Sequence, residues 1–128
     1  MRHMRPSNIR RKPSQFLTPE KFKLYQTLRA SPTVSKEARI ALRRAVQRGA
    51  TVFELVEPSV IYEQAGWRCQ NPQCGKLTKK VESGGQNKPD SATLDHIIPL
   101  SVSRTHTAYN CQLLCHACNS TKDSEDTR

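Results

Sequence analysis

The sequence predicts an α+β chain in two parts, a basic helical arm followed by a small module stapled through metal-binding cysteines. Three observations carry this expectation. Residues 1–50 hold 13 Lys and Arg against two acids, a net of +11, whereas residues 51–128 hold eight against nine, a net of −1. Apolar residues recur at helical spacing twice between Thr18 and Gly49. Two close cysteine pairs, Cys69/Cys74 and Cys115/Cys118, flank the strand-like run Leu94-Asp95-His96-Ile97-Ile98-Pro99-Leu100-Ser101.

Residues 1–17 carry Arg2, Arg5, Arg10, Arg11 and Lys12 with Pro6 and Pro13, lack a hydrophobic period, and read as a disordered basic tail. A helical basic arm is expected over 18–57. Thr18-Pro19-Glu20 supplies an N-cap, a proline at the first helical position and an acid in the first turn. Phe22, Tyr25 and Leu28 then form an apolar face until Ser31-Pro32. Ser35 can cap a second helix, in which Ala38, Ala41/Leu42 and Ala45/Val46 recur on one side and Arg39, Arg43, Arg44 and Arg48 on the other. Gly49 suits its C-terminal end. Two such helices suggest a helix-turn-helix, but no Asn or Gln stands at a helix start to read bases, and a packing unit is the plainer reading. Val52, Phe53, Leu55 and Val56 are expected to pack the arm onto the second half.

A domain is expected over 58–123, with 124–128 as a tail. Pro58-Ser59 starts a third helix that ends at Gly66, and Lys76, Lys79, Lys80 and Lys88 surround Gly84-Gly85 in a polar, flexible loop. Zinc favours four tetrahedral sulfur or nitrogen ligands, and cysteines a few residues apart reach one ion from a tight turn. Cys69, Cys74, Cys115 and Cys118 fit that pattern better than four buried thiols or two disulfides do. Cys111 fits neither pair and reads as a small buried apolar side chain.

Taken in order, Gly66-Trp67-Arg68-Cys69, Cys74-Gly75-Lys76, Asp95–Ser101, Thr105-His106-Thr107, Asn110, Gln112–Cys115 and Cys118-Asn119-x-x-Lys122 resemble the HNH endonucleases of the four-cysteine type, common in bacteriophage and bacterial proteins. The resemblance covers Tyr62 to Lys122. It implies a ββα-metal fold, a β-hairpin and a helix gripping one divalent metal, with structural Zn²⁺ at the cysteines. It also implies that Asp95 and Asn119 hold a catalytic Mg²⁺, Mn²⁺ or other divalent ion, with His96 as general base. Asn110 would hold the loop that positions His96. Successive strand residues face opposite ways, so Asp95 and His96 can share a site only where the strand ends or bends, as Pro99 suggests. Two positions depart from the family pattern: Asn119 stands where many members have His, and Ser103-Arg104 where a Gly-Gly is usual. His106, an exposed loop residue on one reading, and Lys122 are candidate phosphate contacts, and His116 reads as a surface residue.

The basic arm implies a polyanionic partner, DNA, with Arg10, Arg11, Arg43 and Arg44 as candidate contacts. No apolar run reaches the ~18 residues of a membrane span, and no signal-like segment opens the chain. The expectation is a cytoplasmic protein of a bacterial cell or phage-infected host, where thiols stay reduced. The reading is a metal-dependent DNA endonuclease. The alternatives are a non-catalytic zinc-containing DNA-binding module and a phage packaging accessory that contacts a terminase.

Overall fold

Two hydroxyls set the start of the N-terminal helices. Thr18 Oγ1 accepts from the Lys21 N–H at 3.3 Å, and Ser35 Oγ accepts from the Ala38 N–H at 3.0 Å. Each satisfies a donor that has no partner within the first helical turn. The computed structural model describes residues 12–81 and 85–126, without the side chains of 123–126. In chain order its elements are α1 (Pro19–Arg29), α2 (Lys36–Gln47), β1 (Val52–Phe53), α3 (Pro58–Gln64), β2 (Ala92–His96), α4 (Leu100–Ser103), β3 (Thr105–His106), β4 (Cys111–Cys115) and α5 (His116–Asp126). Short 3-10 turns occupy Pro13–Gln15 and Ala108–Asn110. The expectations for Arg10, Arg11 and the rest of 1–11, for Gly84, and for the last two residues of the tail lie outside the described residues.

Two compact units divide the chain. The first is the stretch up to Glu57 together with Ile98–Thr107. Leu17, Tyr25, Leu42, Val46 and Phe53 form its core, flanked by Phe16, Phe22, Leu28 and Leu55. Burying side chains of this size stabilises a fold by about 1.5–3 kcal/mol each. Within residues 12–17, placed in the basic tail by the sequence reading, Pro13–Gln15 turns the chain and Leu17 is buried in the core. Ala45, Ala50 and Leu100 form a second apolar cluster.

β1 runs parallel to β3, with Val52 opposite Thr105 and Phe53 opposite His106. The Thr51 and Glu54 N–H groups donate to the Arg104 and His106 carbonyls at 2.8 and 3.1 Å. This pairing corrects the loop reading of His106, which has 0% exposure and so presents no surface to a phosphate. Arg104 has a left-handed φ of 57°, a backbone state that glycine adopts at little cost. Its guanidinium lies over Gly49, where an added Cβ would come within 2.5 Å of Arg104 Nη1.

The second unit comprises Pro58–Ile97 and the stretch from Ala108 onward. β2 and β4 pair antiparallel, in a register running from Ala92↔Cys115 through Asp95↔Gln112 to His96↔Cys111. The Ile97 N–H to Asn110 carbonyl bond, 2.8 Å, extends the ladder one step further. α5 follows β4 with no loop, and the carbonyls of Ser91 and Pro89 accept the His116 and Ala117 N–H groups at its start. A lone two-stranded pair is marginal in water. Here α3 and α5 pack against it, Leu113 and Leu114 are buried, and the cysteine turn docks through the Gln70 N–H to the Leu113 carbonyl at 2.9 Å.

Candidate active site and metal centre

Between Cys69 and Cys74 the chain makes a tight turn. The Asn71 side-chain oxygen accepts the Gln73 N–H at 3.1 Å, and the Asn71 carbonyl accepts the Cys74 and Gly75 N–H groups at 2.9 and 3.2 Å. Gly75, at φ 66°, allows the left-handed step that sends the chain back, and the Cys69 N–H then donates to the Lys76 carbonyl at 2.8 Å. The other two cysteines come from the end of β4 and the first turn of α5. The Sγ atoms of Cys69, Cys74, Cys115 and Cys118 all lie within 4.8 Å of one another. All five cysteines are free thiols, so the disulfide alternative falls away.

A tetrahedral ion with Zn–S bonds of ~2.3 Å sets its sulfurs about 3.8 Å apart, inside the 4.8 Å that bounds this cluster. Burial pushes the Cys69 thiol above its ordinary value, while a main-chain hydrogen bond at Lys76 draws Cys74 down. At Cys118 the Asn71 amide pulls the thiol down, but burial and the three neighbouring thiols outweigh it and raise it to about 12. Four thiols this close resist ionising together unless a cation sits among them, so the donor set fits a divalent metal. The Asn71 Nδ2–H also donates to Cys118 Sγ at 3.4 Å, a contact that would spread the charge of a ligating thiolate.

Thr93 and Asp95, two apart on β2, share one strand face, and Asn119 and Lys122, three apart on α5, share one helix face. The two faces meet in two rungs. The Asn119 Nδ2–H donates to Thr93 Oγ1 at 2.9 Å, and Lys122 Nζ donates to Asp95 Oδ2 at 2.7 Å. The Thr93 hydroxyl spends its proton on the Leu114 carbonyl at 2.7 Å, so towards Asn119 it can only accept. That fixes the amide: its nitrogen faces Thr93, and its oxygen points away from that hydroxyl. Gln112, opposite Asp95 in the ladder, adds a bond from Nε2 to Asp95 Oδ2 at 2.9 Å.

The proposed ligands Asp95 and Asn119 are therefore not bonded to each other; each is held by a different partner. β2 ends at His96, and a ring nitrogen of His96 lies within 4.8 Å of Cys111 Sγ. Cys111 is buried, and it also adds, after burial, to the forces pushing Tyr62 up to about 12. Asn110 is buried, and its carbonyl fixes the residue after His96. Arg43 and Arg44 are exposed on α2, and His116 is half-buried at the start of α5. Sequence reasoning missed Thr93, Gln112 and Asn71. Only the first carried a signal, as a hydroxyl two residues before Asp95 on a strand.

Residues 69–125 match the family described as HNH endonuclease. No curated protein and no solved structure matches the chain. Among the described residues no helix is long and apolar enough to cross a membrane. The antiparallel pair, the helix that follows it, the four clustered thiols and the family match agree: over residues 69–125 the chain carries a domain of the HNH endonuclease family.

Proposed function

We propose that the protein is a divalent-metal-dependent DNA endonuclease that hydrolyses phosphodiester bonds at the face shared by β2 and α5. The observation that supports this most directly is the orientation of Asn119. Its amide nitrogen is turned to Thr93, so its oxygen points away from that hydroxyl, on the helix face that also carries the partner of Asp95. A divalent ion such as Mg²⁺ or Mn²⁺, held by Asp95 and Asn119, would supply positive charge for the crowded phosphorus and the departing oxygen. His96, at the strand end, takes the proton from the attacking water, because an imidazole exchanges protons near neutral pH. Asn110 keeps the chain after His96 in register through the Ile97 N–H. Zn²⁺ at the four cysteines would join the turn at 69–74 to the start of α5, and so fix the helix that bears Asn119. The +11 of residues 1–50 serves the polyanion, with Arg43 and Arg44 exposed for phosphate contact.

The test is plasmid nicking with and without Mg²⁺ or Mn²⁺. His96→Ala should lower the metal-dependent rate by on the order of 10²–10⁴-fold, the usual worth of a positioned base, and leave DNA binding in place. Equal cleavage by variant and wild type would remove His96 from the chemistry. The ion pair between Lys122 and Asp95 favours a second reading, a DNA-binding module whose carboxylate is permanently closed. Wild-type protein that binds DNA but nicks with no divalent ion would select it.

A further inference from the structure

The Lys122 ammonium has three protons and three oxygens to receive them: Asp95 Oδ2 at 2.7 Å, the His96 carbonyl at 2.7 Å and the Ile97 carbonyl at 3.2 Å. The Asp95 side chain is 7% exposed and that of Lys122 24%. This is a complete cation site, and its occupant is a side chain of the protein. A divalent ion at the same carboxylate would meet the ammonium at close range, and two like charges cannot share one oxygen at 2.7 Å without strong repulsion.

Lys122 also lines an open groove of about 550 Å³ between the turn at 70–73 and one face of α5. Gln70, Gln73, Gln112 and Thr121 contribute to its walls, and Lys122 is the one charged side chain among the described residues that line it. The carboxamides offer donors to phosphate and to base edges, and the lining adds no carboxylate to repel a strand. The groove is therefore polar, free of acidic lining, and open beside the ammonium that holds Asp95.

Building on the nuclease reading, we propose that this groove seats a nucleic-acid strand, and that a phosphate of that strand draws Lys122 off Asp95. The strand and the divalent ion then load together. Without a strand the ammonium holds the carboxylate; with one, the ammonium turns into the groove, and Asp95, keeping only the neutral Gln112 amide on Oδ2, is open to the metal. Lys122 is the coupling residue.

The experiment titrates Mn²⁺ into the full-length, zinc-loaded protein by electron paramagnetic resonance, alone and with a short phosphorothioate duplex that resists cleavage. Asp95→Asn identifies the site. Wild type should bind Mn²⁺ weakly alone and more tightly with the duplex, by a factor within the 5–150-fold usual for coupled sites. Lys122→Met, which keeps the aliphatic stem and loses the charge, should bind tightly without DNA and gain little from it. Equal DNA-free affinity in wild type and Lys122→Met, at a site that Asp95→Asn abolishes, would overturn the coupling and leave the nuclease reading standing. Should Lys122→Met fail to fold, a wild-type affinity indifferent to the duplex overturns it equally. No Mn²⁺ at Asp95 in any form would take down the nuclease reading and this inference together.

Discussion

Thr93 decides which way Asn119 faces, and with it what kind of ligand α5 can offer. Because the hydroxyl proton goes to Leu114, the amide presents oxygen, a hard donor suited to Mg²⁺ or Mn²⁺. Asn119→His should therefore shift metal preference in nicking assays toward Ni²⁺ or Co²⁺, which imidazole suits better. Asn119→Ala should raise the Mg²⁺ concentration needed for half-maximal rate. Unchanged metal titrations in both variants would remove Asn119 from the ligand set. Asp95, His96, Asn110 and Asn119 stand out in the sequence as candidates because their order and spacing resemble the family pattern. Gln112 does not stand out, since its place depends on the register that sets it opposite Asp95; Thr93, though a hydroxyl two residues before Asp95 on a strand, gains its partner only where a helix crosses it. His106 misled for a related reason. It lies in a polar run that reads as loop, and its burial comes from pairing with Phe53, far back in the chain.

The turn at Cys69–Cys74 and the first turn of α5 depend on each other. Neither has much apolar surface of its own: Leu114 is the buried aliphatic side chain packed with the four cysteines. A structural zinc contributes ~10–16 kcal/mol in small modules at neutral pH, more than a core of this size supplies. Cys69→Ser and Cys118→Ser should each lose the bound zinc and lower the melting temperature sharply, and cleavage should go with it. Cys111→Ser should keep its zinc at a cost of about 1–3 kcal/mol for the buried hydroxyl. Zinc content per chain measured beside melting decides this, and a cooperative melt unmoved by zinc removal would show that the metal is no staple. At this scale the helices were legible, because Thr18 and Ser35 are caps with apolar periods behind them. β1 and β3 were not: two residues each are too short for a period, and the partner strand, not local propensity, makes them strands.

Charge separates the chain at about residue 50, but packing does not follow charge. The first unit takes in residues 98–107, which lie in sequence between β2 and β4 of the second. In a fragment of residues 58–128, Leu100 would lose the cover of Ala45 and Ala50, and β3 would lose β1. Limited proteolysis should accordingly cut such a fragment within 98–107 much faster than it cuts the full chain, while its four cysteines still take up zinc. Equal cutting rates would show that this segment holds its shape unaided. The same pairing sets a timetable for synthesis. Val52 meets Thr105, 53 residues further along. At about 5–20 residues per second, a ribosome needs on the order of 3–10 s to deliver that partner. The helical pair α1–α2 can close around Leu42 and Val46 early, but the apolar face at Ala45 and Ala50 and the open edge of β1 must wait. The nascent chain thus carries an unpaired strand edge beside a bare apolar patch for seconds, the kind of surface that chaperones bind and that crowded overexpression turns into aggregate.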